Sequence, residues 1–173
     1  MEFVAILHNI RSLHNVGSIF RTADAAGVKK IYLGGITPAP TDVFGRVRPQ
    51  FAKVALGAEK YVKWEKIRHT AEAVARLKDR GYKILAVEQS RRSLPYYRVR
   101  PGSRDKVVLL MGAEVKGLPP ALLKKCDKIL EIPMRGRKES LNVAVAFGIV
   151  AYHLFLCESP ARYGQGESQP RNK

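Results

Sequence analysis

Residues 128–157 read KILEIPMRGRKESLNVAVAFGIVAYHLFLC. A β-rich run leads into a loop of glycine and basic residues, and the pattern then predicts a helix over residues 141–157. This helix is apolar around most of its circumference, with Asn142, Tyr152 and His153 as its polar interruptions. A surface helix would carry a polar face, and a membrane span would need about 20 apolar residues. We therefore expect this helix to be buried between its own sheet and a second subunit, with complete burial inside one monomer as the alternative. We expect His153 to be a buried structural histidine.

Short apolar runs alternate with helix-period segments through the rest of the chain. The pattern predicts strands at residues 3–8, 31–33, 61–64, 83–87, 107–111 and 128–132. It predicts helices at residues 15–26, 67–80, 119–126 and 141–157. Such alternation indicates an α/β fold, a mostly parallel sheet with helices on both faces. With 173 residues we expect a single domain over residues 1–157, and the polar residues 158–173 are typical of a disordered tail.

The charge balance predicts an anionic partner. Lys and Arg number 31 against 15 Asp and Glu, which gives a net charge of +16. Nucleic acid and anionic membrane both fit such a charge, but the basic residues fall in two separate loop-rich patches, residues 46–68 and 91–106, and not on one amphipathic helix. This distribution favours RNA or DNA over a bilayer. The alternative is that the charge only keeps the protein soluble.

Several common chemistries are disfavoured by missing motifs. The chain has no Gly-x-Gly-x-x-Gly, and Leu118 and Pro119 stand where a phosphate loop after Gly112 and Gly117 requires Lys and Ser/Thr. A Gly-x-Ser-x-Gly elbow, a His-Glu-x-x-His motif and clustered acidic metal ligands are also absent from the sequence, so we expect no metal site. Two cysteines without zinc-ligand spacing, and an N-terminus unlike a signal peptide, predict a cytoplasmic protein.

Three clusters remain, each following a predicted strand at the edge where open parallel sheets bind ligands. They are Asn15-Val-Gly-Ser-Ile-Phe-Arg21, Gly112-Ala-Glu114-Val-Lys-Gly117 and Ile132-Pro-Met134-Arg-Gly-Arg-Lys-Glu-Ser140-Leu-Asn142. Each polar residue also has a plain structural interpretation. Asn15 and Ser140 would cap helices, and Glu114 would be a charge at a helix start.

In order and spacing the three clusters resemble the motifs of the TrmH-like (SpoU) RNA ribose 2′-O-methyltransferases of the SPOUT superfamily. The resemblance extends from Val4 to Leu156, with one departure at Ala113, where the family often has asparagine. It implies a C-terminal trefoil knot, which general rules of chain topology would argue against. It also implies a homodimer and an S-adenosylmethionine pocket. The implied cofactor-binding residues are Val87, Glu88, Gly112, Ile132, Met134 and Leu141.

The resemblance further implies a catalytic crevice, where two subunits meet, formed by Asn15, Arg21, Glu114, Ser140 and Asn142. There the ribose 2′-oxygen would attack the sulfonium methyl group without a metal. Because a guanidinium is effectively never deprotonated in proteins, we interpret Arg21 as a clamp that stabilises phosphate and developing alkoxide charge, although family proposals make it a base. The implied RNA-binding residues are Arg46, Arg48, Lys53, Arg91, Arg92, Tyr96 and Tyr97.

The sequence leaves the RNA substrate open. A transfer RNA is favoured because a small compact enzyme can bind around a folded stem or loop, and ribosomal RNA is the alternative. A non-catalytic RNA-binding relative would lose Arg21 or the Ser140–Asn142 pair, and a methyltransferase acting on a base nitrogen would lack the first cluster. Both are less favoured alternatives.

Overall fold

The computed structural model describes residues 1–158. The predicted tail, residues 158–173, lies outside the described residues except for Glu158, which is the last residue of the final helix. The strands are β1 Glu2–His8, β2 Lys30–Gly34, β3 Lys63–Ile67, β4 Lys83–Val87, β5 Leu94–Pro95, β6 Lys106–Met111 and β7 Lys128–Glu131. The helices are α1 Leu13–Ala25, α2 Pro49–Ala55, α3 Thr70–Asp79, α4 Pro120–Leu123 and α5 Val143–Glu158. Two short 3-10 helices cover Ala58–Lys60 and Tyr96–Arg98.

The seven strands form one sheet in the order β3-β2-β1-β6-β4-β7-β5, and all of the described pairings are parallel. One face is covered by α1, α2 and α5, whose buried side chains include Phe20, Phe51 and Phe147. The other face is covered by α3 and α4, with Val74 and Leu122 in a second core. The predicted parallel α/β sheet with helices on both faces is confirmed.

The boundaries predicted for the third strand and the first helix are wrong, the former because of pairing with β2 and the latter because of a local helix cap. The third strand spans Lys63–Ile67, not 61–64, because its register against β2 runs from Lys30↔Lys63 to Gly34↔Ile67. Ile67, predicted as the start of a helix, thus ends a strand. The first helix begins at Leu13, because the Ser12 hydroxyl accepts a hydrogen bond from Asn15 N–H at 3.2 Å.

The basic region after β2 contains a helix that the pattern did not predict. α2 begins at Pro49, a residue suited to a first helical position because it has no N–H to satisfy. The Phe51 ring is fully buried and meets the Phe20 ring edge-on, with centroids 5.2 Å apart. This contact fixes α2 on α1, so Arg46 and Arg48 lie in a loop whose far end is anchored to the core.

The last helix, α5, begins two residues later than predicted. Asn142 Oδ1 accepts a hydrogen bond from Ala144 N–H at 2.8 Å, as an N-cap residue does. The prediction that Ser140 caps this helix is therefore wrong, because Ser140 lies three residues before Val143, outside the reach of the first turn. One side of α5 is buried, whereas Val145, Tyr152 and Leu156 are 41–51% exposed.

Candidate active site at the carboxyl edge of the sheet

A cavity of about 300 Å³ lies where β4, β6 and β7 end. Its walls come from these three neighbouring strands, from the loop after β6 and from the segment that leads into α5. All six positions that the resemblance implied for cofactor binding line this one cavity: Val87, Glu88, Gly112, Ile132, Met134 and Leu141. The carboxyl ends of adjacent parallel strands bring these residues together although they are widely separated in the chain.

The loop at residues 112–118 forms one wall of the cavity, and two glycines close it. Gly117 has φ +60°, a left-handed conformation that favours glycine. A Cβ at Gly112 would lie 2.7 Å from the Gly117 carbonyl carbon, so the two ends of the loop pass too closely for any side chain there. Glu88 Oε2 accepts a hydrogen bond from Leu118 N–H at 2.7 Å and ties the loop to β4. The sequence reasoning placed Glu88 near a cofactor but missed this structural contact.

A chain of three polar side chains crosses the rim of the cavity. Asn15 Nδ2 donates to Glu114 Oε1 at 3.1 Å, and Asn142 Nδ2 donates to Asn15 Oδ1 at 3.1 Å. Each residue comes from a different one of the three sequence clusters. The expected N-cap role of Asn15 is wrong, because Ser12 caps α1 and the Asn15 amide is held between the other two side chains. The structure therefore brings the three clusters together at one point.

Glu114 is held as an anion by its surroundings. Partial burial opposes its ionisation, but hydrogen bonds from its own backbone N–H, from Asn15 and from the N–H groups of Arg11 and Ser12 outweigh that burial. The pKa of Glu114 is consequently lowered from its ordinary value. The carboxylate accepts from Arg11 N–H at 3.3 Å and from Ser12 N–H at 3.4 Å, so it also fixes the start of α1. Its position is in a loop before Pro119, and not at a helix start.

Ser140 and Arg21 stand apart from this polar chain. Ser140 lines the cavity, but its hydroxyl makes no hydrogen bond with any of residues 1–157. Arg21 is exposed on α1 and has no ion-pair or hydrogen-bond partner in that same range. Because a helix turns by about 100° per residue, Arg21 lies roughly 120° around α1 from Asn15. One copy of the chain therefore does not bring Arg21 to Glu114.

The residues implied for RNA binding lie on two surfaces. Lys53 is exposed on α2 and Arg48 is exposed immediately before it, and Arg46 Nε forms an exposed ion pair with Asp42 at 3.0 Å. Arg91 and Arg92 are exposed on the loop between β4 and β5.

The two tyrosines implied for RNA binding differ in their exposure. Tyr97 is 49% exposed, whereas Tyr96 is half-buried against the His153 ring at 5.2 Å. His153 Nε2 lies 2.8 Å from Val99 O, so its expected structural role is confirmed, although the side chain is only half-buried. Tyr97 is thus the more accessible ring of the pair.

An exposed aromatic residue near the first of these surfaces was not singled out by the sequence reasoning. Phe44 is 78% exposed at the tip of the turn between Thr41 and Val47, and the Arg46 guanidinium lies 5.1 Å from its ring centroid. Asp42 Oδ1 accepts from Phe44 N–H at 2.9 Å and holds the turn. The signal available in the sequence was a lone aromatic residue between a turn-forming Asp and a Gly.

The family can now be assigned by comparison with known proteins. The sequence model of the SpoU rRNA Methylase family matches residues 2–152. The chain belongs to the SpoU rRNA Methylase family. The match includes all of the residues that line the cavity, so the candidate site lies within the family's shared domain.

Individual relatives agree with this assignment. The chain is 30% identical over 151 residues to tRNA (guanosine(18)-2′-O)-methyltransferase of Aquifex aeolicus, covering 87% of this chain and 67% of that protein. It is 31% identical over 147 residues to 23S rRNA (guanosine-2′-O-)-methyltransferase RlmB of Ralstonia nicotianae, covering 85% and 55%. The crystal structure of AdoMet-bound rRNA methyltransferase from Sinorhizobium meliloti is similar with a TM-score of 0.77 and 30% identity, over 88% of this chain and 55% of that one. The chain thus spans between about half and two thirds of the length of these relatives.

The described part of the chain contains neither a candidate membrane span nor a candidate metal site. Among residues 1–158, no helix combines the length and apolar composition needed to cross a membrane. Within the same residues, no group of three or more His, Cys, Asp or Glu side chains is arranged to hold a metal ion.

Proposed function

We propose that this member of the SpoU family transfers a methyl group from S-adenosylmethionine to a ribose 2′-hydroxyl of RNA. The observation that carries the proposal is the Asn142–Asn15–Glu114 chain at the rim of the cavity. It places hydrogen-bonding groups from all three clusters beside a cavity of cofactor size. The two curated relatives named above are ribose methyltransferases, and a similar solved structure contains the cofactor.

The cavity fits S-adenosylmethionine by its chemistry. Apolar side chains, Val87, Met111, Leu130 and Ile132 among them, suit an adenine ring and a thioether, and backbone groups at the strand ends supply hydrogen bonds. Glu139 also lines the cavity, and its carboxylate makes no hydrogen bond with residues 1–157, which suits a cationic ligand. When bound, the cofactor supplies an activated methyl group with a neutral leaving group, so the chemistry needs no metal.

The residues of the chain have distinct roles in this proposal. Glu114, held ionised, orients the Asn15 amide, which can then hold a ribose hydroxyl in one direction. Asn142 fixes the other side of that amide and starts α5. Ser140 offers a free hydroxyl on the cavity wall. Arg21 stabilises negative charge on the attacking oxygen and its neighbouring phosphate, since its guanidinium stays protonated.

We propose a homodimer that places Arg21 of one subunit at the cavity of the other. The exposed apolar side of α5 supports the dimer, because Val145, Tyr152 and Leu156 form a stripe at helical spacing. Thr22, next to Arg21, packs close to Gly148 of α5. Arg21 therefore borders the stripe and is free to reach a partner, which accounts for its distance from Glu114 in a single chain.

We also propose that residues 1–157 form one domain whose C-terminal segment is knotted as a trefoil. Two contacts support a chain that passes through the loop between β4 and β6. Gln89 Nε2 donates to Glu139 O at 2.6 Å before α5, and His153 Nε2 lies 2.8 Å from Val99 O along α5. The loop between β4 and β6 thus contacts the final segment just before α5 begins, at Glu139, and again near the end of α5, at His153.

The RNA in this proposal is a transfer RNA, with ribosomal RNA as the alternative, and the protein acts in the cytoplasm. The exposed basic residues and the net charge of +16 support an RNA partner. The names of the relatives cover both classes of RNA.

The test is to incubate the purified protein with isotope-labelled S-adenosylmethionine and unmodified tRNA or rRNA, then digest the RNA and identify the labelled nucleosides by mass spectrometry. A label on a ribose supports the proposal. A label on a base, or RNA binding without transfer to either RNA, would contradict it. Mapping ribose methylation in cells with and without this gene then identifies the nucleotide.

A further inference from the structure

A second cavity, of about 630 Å³, lies on the other side of the loop at residues 112–118. It is formed at the carboxyl ends of β1 and β2, whereas the first cavity is formed at the ends of β4, β6 and β7. The two cavities share Ala113, Glu114, Val115 and Gly117 as a common wall. A molecule in the second cavity therefore stands directly across that wall from the proposed methyl donor.

The second cavity has aliphatic walls that are open to solvent. Ile36 on one side is 62% exposed and Val115 on the other is 93% exposed, and Pro119 and Pro120 complete the lining. Large aliphatic side chains at such exposure gain from being covered by a flat apolar surface.

The floor of the second cavity is polar and held rigidly. Asn9 has φ +57°, a left-handed conformation that is uncommon outside glycine and that often marks ligand sites. Its Oδ1 accepts from Ile36 N–H at 3.1 Å, and its Nδ2 donates to His8 Nε2 at 3.0 Å. His8 Nδ1 in turn lies 2.9 Å from Thr70 Oγ1, and burial lowers the pKa of His8, which favours the neutral ring that accepts from Asn9. One N–H and one lone pair of the Asn9 amide remain for a ligand.

The rim of the second cavity is cationic. Arg11 and Lys116 both line it, and neither side chain has an ion-pair or hydrogen-bond partner among residues 1–157. Unpaired cations beside a cavity suit a ligand that carries phosphate.

We propose that the second cavity receives the base of the nucleotide whose ribose is methylated, an inference that rests on the proposed function. RNA is read mainly through unstacked bases that are splayed out of loops. The face of such a base would lie against Ile36 and Val115, its edge would meet the Asn9 amide, and its flanking phosphates would lie near Arg11 and Lys116. The attached ribose would then stand at Glu114, on the wall shared with the first cavity.

The first test uses nucleoside 5′-monophosphates as probes and records backbone amide shifts by NMR. GMP, AMP, CMP and UMP are titrated separately into the protein saturated with S-adenosylhomocysteine, which occupies the first cavity. We expect the shifts to concentrate at Asn9, Ile36 and residues 115–117, with one or two of the four nucleotides binding several-fold more tightly. Shifts scattered over the basic surface, or equal shifts with inorganic phosphate alone, would overturn the proposal.

The same experiment separates failure of this inference from failure of the proposed function. If S-adenosylhomocysteine itself shifts Gly112 and Ile132 while no monophosphate shifts Ile36, the cofactor site stands and the base site is wrong. If S-adenosylhomocysteine causes no shifts, the proposed function itself has failed.

The second test fills the cavity with a side chain. Ile36→Trp should lower methyl transfer to RNA at least tenfold and leave S-adenosylhomocysteine affinity unchanged, because the cofactor cavity is not touched. The matched control is Tyr61→Trp, a residue that is 75% exposed beside the amino end of β3, at the opposite edge of the sheet. Equal methyl transfer by Ile36→Trp and Tyr61→Trp would show that the cavity takes no base.

Discussion

Replacing Gly117 by alanine should damage the wall shared by the two cavities through two separable effects. The first is backbone strain, since an alanine at φ +60° costs roughly 1–2 kcal/mol. The second is a steric overlap, because the new Cβ would collide with Glu88 Oε2. Glu88 must then release Leu118 N–H, and a hydrogen bond to a charged group contributes about 1.5–3 kcal/mol. The sum predicts a loss of roughly 2.5–5 kcal/mol, or about 5–20 °C in Tm.

A second glycine in the chain isolates the strain. Gly27 has φ +71°, and a Cβ there would meet no atom within 4 Å. Gly27→Ala should therefore lose only the strain, roughly 1–2 kcal/mol, or about 2–8 °C in Tm. Both variants lower the entropy of the unfolded chain equally, so the difference between them reports the Glu88 contact.

The assay is thermal unfolding of the two single variants, of Glu88→Ala and of Gly117→Ala combined with Glu88→Ala, together with calorimetric titration of S-adenosylmethionine. In the Glu88→Ala background, Gly117→Ala should cost no more than Gly27→Ala, because the clash is gone. Gly117→Ala should also weaken cofactor binding, whereas Gly27→Ala should not. If Gly117→Ala costs the same with and without Glu88, the clash and the hydrogen bond have no energetic role and the reasoning is refuted.

Arg21→Ala should keep cofactor affinity and reduce single-turnover methyl transfer by about 100-fold or more. Arg21→Lys should restore little of the transfer rate, because lysine lacks the planar fork of the guanidinium. Near-full activity of Arg21→Lys, with a pH profile displaced to lower pH, would show that the residue at this position acts as a base. Leu156→Glu should produce a monomer in sedimentation equilibrium, since a buried unpaired charge is costly, and a stable active monomer would contradict the α5 interface. Because the pKa of Glu114 is lowered in the folded protein, its contribution to stability is complete above the ordinary carboxyl pKa of 4.5 and is lost as pH falls through the lower folded value. Glu114→Gln should therefore reduce the loss of Tm at acid pH when melting is measured across a pH series. An unchanged loss of Tm at acid pH would mean that other groups cause it. Neutralising Arg46 and Arg48 together should reduce the slope of log RNA affinity against log salt by about 1–2, whereas an unchanged slope would place both side chains away from the RNA.

The amino-acid sequence by itself determined the architecture and the family. Alternation of apolar runs with helix-period segments is a local signal. Within residues 1–158 it correctly predicted six of the seven strands, five of them within one residue at each end, and all of the α-helices except α2. The three clusters, read in order, identified the family before any contact was known. The order of the clusters along the chain, however, carries no information about which side chains touch.

Only the tertiary structure decided those contacts. Asn15 is 99 residues from Glu114 and 127 residues from Asn142 along the chain, so its placement between them depends on the packing of α1 against α5 and not on its own neighbours. A local pattern made Asn15 a helix cap, a role that Ser12 takes. The second cavity, likewise, exists because parallel strands end at one edge and bring Asn9, Ile36 and Val115 together. Such sites arise from the geometry of the sheet, and the residues next to each position in the chain carry no information about that geometry.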